Sequence, residues 1–296
     1  MNDVVARSGS AVLAALARDR LDAIPLKGPW IADRLHHPAN TRPTHDLDLL
    51  VRREDMAATG SLLRQLGYVQ FPDPAAPATE HLVYEPERST PWRPGIDVHC
   101  HITGSGDEPW LDRLWGRVVW QPFGGSGVLA MSGADLLLYL SVHSARHGWL
   151  HLCHFLDLAQ ALDAEGQTVD WEVLDREAGG VHRAGALRLS LAVAVHVCGA
   201  RPPAGRLARP SVQTAVGELM LRRRGLVRLR PSLREGPYQT LLQALVDDGM
   251  NRGLRRLRDA TWPASPPRQP RSGKAQMARA ARRAARLARQ LTIAAS

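Results

Sequence analysis

Aromatic side chains are scarce in this chain of 296 residues, at about 5% of the whole. A surface that stacks many nucleic-acid bases is therefore not expected. Cysteine is scarcer: Cys100, Cys153 and Cys198 are widely spaced and form no CxxC pair. An odd, unpaired set excludes a disulfide framework and fits a reduced, cytoplasmic interior. Long apolar runs are missing too, so no membrane-spanning helix is expected. The opening MNDVVARSGSAVLAALARDR is too interrupted in its apolar character for a signal peptide. Lysine is almost absent, with only Lys27 and Lys274 among the 38 basic residues. A lysine alone in the first 273 residues stands out.

What remains is an ordinary globular composition, 44% apolar and 23% charged, long enough for about two domains. The net charge of +9 is unevenly placed. From Arg268 onward the chain carries eight basic residues and no acid, so the body before it is nearly neutral.

Strand and helix patterns alternate through the first 127 residues, which predicts a small α/β domain. The expected elements are a helix over Ala11–Arg20, a strand over Ala23–Leu26 and a helix from Gly28-Pro29 to Leu35. A strand at Asp46–Val51, a helix at Arg53–Leu66 and a strand at Tyr68–Phe71 follow. Further strands are expected at Glu80–Tyr84, Ile96–Ile102 and Val118–Gln121. After Gly124-Gly125-Ser126-Gly127 the pattern turns helical, at Ala134–Leu162, Trp171–Ala178, Ala184–Val197, Val212–Leu221 and Tyr238–Arg258. A Pro-rich linker then leads to an Ala/Arg helix at Lys274–Leu291. The expected domains are 1–127, a helical 128–262, and the linker with its basic tail, 263–296. The tail reads as a solvated helix, or as a contact for an acidic partner or nucleic acid.

Chemistry concentrates at Asp46-Leu47-Asp48. Alternate side chains of a strand share a face, so both carboxylates point one way. Two such groups repel unless a cation lies between them, and Mg2+ suits paired carboxylates with phosphate oxygens. Alternatively, they are turn or rim residues. By the same alternation Asp97, His99 and His101 share a face, adding a third carboxylate of the kind two-metal phosphoryl transfer requires. A half-exposed edge strand is the plainer reading. Lys27-Gly28-Pro29 ends a strand and opens a helix, a place where backbone N–H groups receive phosphate, or a simple turn. If Ala134–Leu162 is one helix, His143, His147, His151, His154 and Asp157 form a stripe roughly 120° wide. That stripe is either a zinc site or a polar face lining a cleft between domains.

Lys27-Gly28, Arg42, Asp46-Leu47-Asp48-Leu49-Leu50-Val51, Leu66-Gly67-Tyr68 and Asp97-Val98-His99 together resemble the uncharacterised nucleotidyltransferase family of the polymerase-β-like superfamily. His143, His147, Trp149 and Asp157-Leu158-Ala159 resemble that family's second block, so the likeness runs over about residues 10–265. The resemblance implies an α+β fold, a small mixed sheet with flanking helices, followed by an all-α domain. It implies Mg2+-dependent transfer of a nucleoside monophosphate from a triphosphate, with ATP the expected donor, two Mg2+ ions bound and pyrophosphate released. Asp46, Asp48 and Asp97 would be the metal-binding, catalytic carboxylates, and Lys27, Gly28 and Arg42 would meet the nucleotide. His99, His143, His147 and Asp157 would be cleft or acceptor contacts. Members are often associated with lasso-peptide and other natural-product clusters, and their acceptors are mostly unknown.

Two departures qualify the likeness. Pro29 stands where the superfamily usually has serine, and 18 positions separate Gly28 from Asp46. Lys27 is the candidate to replace the missing phosphate donor. The rival readings are a catalytically weakened accessory protein that binds nucleotide or peptide, and an antitoxin-like enzyme that modifies protein or RNA.

Overall fold

A computed structural model describes residues 2–42, 44, 46–71, 81–87, 93–103, 106–149 and 151–203. The helices expected at 212–221, 238–258 and 274–291, and the linker before the last of them, lie outside the described residues. The chain divides into two compact units, Met1–Leu136 and Leu137–Ser296.

The first unit opens with α1 (Asn2–Arg18), longer at its start than its pattern suggested. Val5, Val12, Leu13 and Leu16 form its buried stripe. The helix stops in a Schellman turn: Arg20 takes a positive φ, and the Leu21 N–H donates to Leu16 O at 2.9 Å. β1 (Ala23–Pro25) leads to α2 (Pro29–Leu35), where proline occupies the first helical position, whose N–H has no partner within the helix. β2 (Asp46–Val51), α3 (Met56–Gln65), β3 (Tyr68–Phe71), β4 (His81–Pro86) and β5 (Gly95–His99) complete a mixed sheet of order β1-β2-β5-β4-β3. β2 and β5 run parallel at its centre, and every other pairing is antiparallel. This is the expected α+β core, a small mixed sheet with flanking helices.

Central position explains the burial pattern. Leu47, Leu49, Leu50, Val51, Ile96 and Val98 are all sealed from solvent. Along β5, Gly95, Asp97 and His99 are half-buried between them, the alternation that the sequence suggested.

Three local features depart from the sequence reading. β5 ends at His99, short of the expected Ile102. His101 therefore leaves the Asp97/His99 face, and its Nδ1 lies 2.5 Å from Asp107 Oδ1. Asp107 also accepts the N–H groups of Ile102 and Thr103, each at 2.7 Å, which fixes the bend. α4 (Glu108–Trp115) follows where no helix was expected. The expected single strand near Val118 is one arm of a hairpin, β6 (Val119–Phe123) and β7 (Ser126–Ala130). Its turn, Gly124-Gly125, has positive φ at both positions, as a two-residue hairpin turn favours. Asp135, almost wholly buried, accepts from Trp110 Nε1, Ser132 Oγ and the Arg117 guanidinium, binding the end of this unit together.

The described part of the second unit is helical: most of α5 (Gly133–Arg146), then α6 (Leu152–Glu165), α7 (Trp171–Gly180) and α8 (Ala184–Cys198). The single helix expected over Ala134–Leu162 is two helices. Gly148 takes φ +62 in a second Schellman turn, in which the Trp149 N–H donates to Ser144 O at 2.9 Å. Trp149 then turns inward against Phe155, Leu189 and Val193, and its Nε1 donates to Ser190 Oγ at 2.8 Å. Burying an indole with its N–H satisfied outweighs continuing the helix. Among the described residues no helix is long and apolar enough to cross a membrane.

Candidate functional site

The parallel pairing of β2 and β5 sets the site. Asp48 lies opposite Asp97 and Asp46 opposite Gly95, so residues 49 positions apart in sequence become neighbours. Antiparallel β4 then places His81 opposite His99. β1 contributes from the other side: the Leu26 N–H donates to Asp48 O at 2.8 Å, which brings Lys27 alongside.

Asp48 is the buried centre, its side chain 3% exposed. Lys27 Nζ lies 3.0 Å and His99 Nε2 3.4 Å from its Oδ1. Desolvation alone would raise the Asp48 carboxyl, but the hydrogen bond from His99 and the charge of Lys27 more than reverse this. It is held below the usual carboxylate range. Its other oxygen, Oδ2, is buried with no hydrogen-bond partner. Asp46 is exposed at the start of β2. Neighbouring protein nevertheless strips water from its carboxyl and raises it, and the charges of Asp48 and Asp97 raise it further against the opposing pull of Lys27. Three carboxylates thus crowd one face, with one lysine as partial counter-charge.

Histidine completes the arrangement. His81 and His99 stack with ring centres 4.4 Å apart and planes within 3°. His81 Nε2 lies 3.6 Å from Asp97 Oδ2, and His81, Asp97 and His99 each offer a ligand atom within 4.8 Å of the others. A divalent cation fits this chemistry: an orphaned buried oxygen on Asp48, mutual repulsion at Asp46, and imidazole nitrogen beside Asp97. His81 was not foreseen from the sequence. The strand around it was expected, but only the β4–β5 register reveals its partner.

Gly28 proves structural in a specific way. With φ +73, an added Cβ would lie only 2.2 Å from Asp46 O, so only glycine lets this loop close onto β2. Arg42 is half-buried at the end of a short 3-10 turn over Ala39–Thr41, four residues before Asp46. His143, His147 and Asp157 all belong to the second unit. His101 instead lines a separate pocket with Arg53, Cys100 and Trp115.

A family model described as uncharacterised nucleotidyltransferase matches residues 2–199, two-thirds of the chain. The chain belongs to the uncharacterised nucleotidyltransferase family. Membership supports a transferase with general nucleotidyl-transfer activity, a nucleotide substrate and a divalent metal. No curated protein matches the chain.

Proposed function

We propose that this nucleotidyltransferase moves a nucleoside monophosphate from a triphosphate, ATP by expectation, to a small-molecule or peptide acceptor, releasing pyrophosphate. The observation that carries the reading is the pairing of Asp48 with Asp97 across two parallel strands, with Asp46 beside them and one oxygen of Asp48 unpartnered. Asp46, Asp48 and Asp97 would hold two Mg2+ ions, while His81 and His99 extend the ligand set toward Mn2+. Bound there, a divalent ion neutralises phosphate charge and lowers the barrier to attack at the α-phosphorus.

The chain's own groups do the rest. Lys27 keeps Asp48 ionised, and its charge lies where triphosphate oxygens would arrive. Gly28 holds the loop against β2, and Arg42 is the further cation for the nucleotide. Burial of Asp48 excludes water from one side of the site, which strengthens each charge contact. One observation favours a weakened accessory protein instead: α2 begins with Pro29, which has no N–H for phosphate, and Lys27 is already committed to Asp48.

The test incubates purified chain with Mg2+ or Mn2+, each labelled triphosphate and candidate acceptors, and measures pyrophosphate. Asp48→Asn is expected to cut release at least about a hundredfold, equivalent to roughly 2.7 kcal/mol, with folding retained by circular dichroism. No release from the wild type, together with no metal-dependent nucleotide binding, would favour the accessory reading in its peptide-binding form. Label appearing on protein or RNA would establish the antitoxin-like one.

A further inference from the structure

The break between α5 and α6 creates a cluster that a continuous helix would not. His143 and His147 lie one turn apart at the end of α5, His151 occupies the residue before α6, and His154 lies in its first turn. The reversal at Gly148-Trp149 folds the second pair back onto the first. Their rings then form a compact set. Centre-to-centre separations are 4.5 Å for His143–His147 and His143–His154, 5.0 Å for His147–His154 and His151–His154, and 5.7 Å for His147–His151.

Those separations can be compared with a metal complex. Zinc lies about 2.0–2.1 Å from an imidazole nitrogen, which puts each ring centre roughly 3.2 Å from the ion and neighbouring ring centres about 5.2 Å apart in a tetrahedron. These five of the six ring pairs bracket that figure. In the same geometry two ligating nitrogens are about 3.4 Å apart, and His143 Nε2 and His154 Nε2 are separated by 3.3 Å. Both pairs sit on elements whose relative position is fixed by a buried tryptophan, so the rings are gathered before any ion arrives.

We propose that His143, His147, His151 and His154 bind a borderline divalent transition-metal ion, Zn2+ foremost, in an all-imidazole site that pins α6 to α5. The donor set decides the class of ion. Four imidazole nitrogens suit zinc and its neighbours and disfavour Mg2+, in contrast to the carboxylate-rich face in the first unit. The inference does not depend on the nucleotidyl-transfer reading, because the two sites share no residue.

The experiment uses untagged full-length chain, stripped with chelator and reloaded with one equivalent of Zn2+ or, as a visible probe, Co2+. X-ray absorption at the zinc edge is expected to show a nitrogen shell with scattering from at least three imidazoles, and the cobalt form the strong visible bands of a tetrahedral complex. Both signals should persist in the His81→Ala/His99→Ala double variant. His147→Ala and His154→Ala should each weaken zinc binding at least about tenfold, read by competition with a chromophoric chelator. A first shell rich in carboxylate oxygen, loss of the signal in the double variant while it remains folded, or unchanged affinity in both second-unit variants would overturn the proposal. If a variant fails to fold, the wild-type zinc-edge spectrum alone decides between four imidazoles and a mixed shell.

Discussion

The two units gather ionisable groups by opposite means. On the β2–β5 face, carboxylates are packed closer than like charges tolerate, and Lys27, with the hydrogen bond from His99 to Asp48, partly offsets them. At the α5–α6 break, four imidazoles come together at the turn that buries Trp149. The first arrangement is held in place by sheet register and is under electrostatic tension. The second is held by one turn. A hard cation carrying phosphate would relieve the first, whereas a borderline ion would only fasten the second.

The comparison can be broken most sharply at Gly28. Gly28→Ala places a Cβ against Asp46 O and forces alanine into a conformation glycine tolerates, at a cost of about 3 kcal/mol or more. Thermal unfolding should show the loss, pyrophosphate release should collapse, and the zinc-edge spectrum of the folded protein should be unchanged. A variant with wild-type stability would mean that the loop does not press on β2.

Gly148→Ala is the matching change in the second unit and a smaller one. The left-handed turn costs alanine roughly 1–2 kcal/mol. Zinc affinity should fall while pyrophosphate release per folded molecule stays level. Equal losses at both sites would merge the two units into one cooperative structure.

The smallest expected effect sharpens the electrostatic half of the contrast. A carboxyl raised in the folded state opposes folding once ionised. That penalty is absent below its unfolded pKa and grows as pH rises through its raised folded value. Asp46→Asn should therefore raise the melting temperature of chelator-treated protein at neutral pH and flatten its pH dependence on the acid side, while abolishing transfer. If the variant melts lower at neutral pH, the carboxylates are not in tension.

Where period and local chemistry coincide, the sequence was legible. β5 appeared with its buried and open faces correctly assigned, because alternation at Ile96/Val98 needs no partner to be read; on β2 the central position in the sheet buries Asp48 and Leu50 as well as Leu47 and Leu49, so only Asp46 stays open. His101 was misassigned because Asp107, a residue further along, captures it and ends the strand. The histidine stripe rested on a helix that does not continue. The sequence signal was Gly148, a left-handed helix stop, and Trp149 after it needed a buried pocket to make the stop worthwhile. β6 was expected near Val118–Gln121, but its partner β7 announced itself only through Gly124-Gly125, which reads equally as a linker.

Taken alone, the order of residues determined which side chains share a strand face, where glycine must stand, and which family the chain resembles, since these follow from local geometry and short-range spacing. Tertiary structure decided which faces meet. Strand order brought Asp97 to Asp48 and His81 to His99, and a single reversal brought His154 to His143. Such contacts depend on pairing energies between distant segments, which no local pattern records.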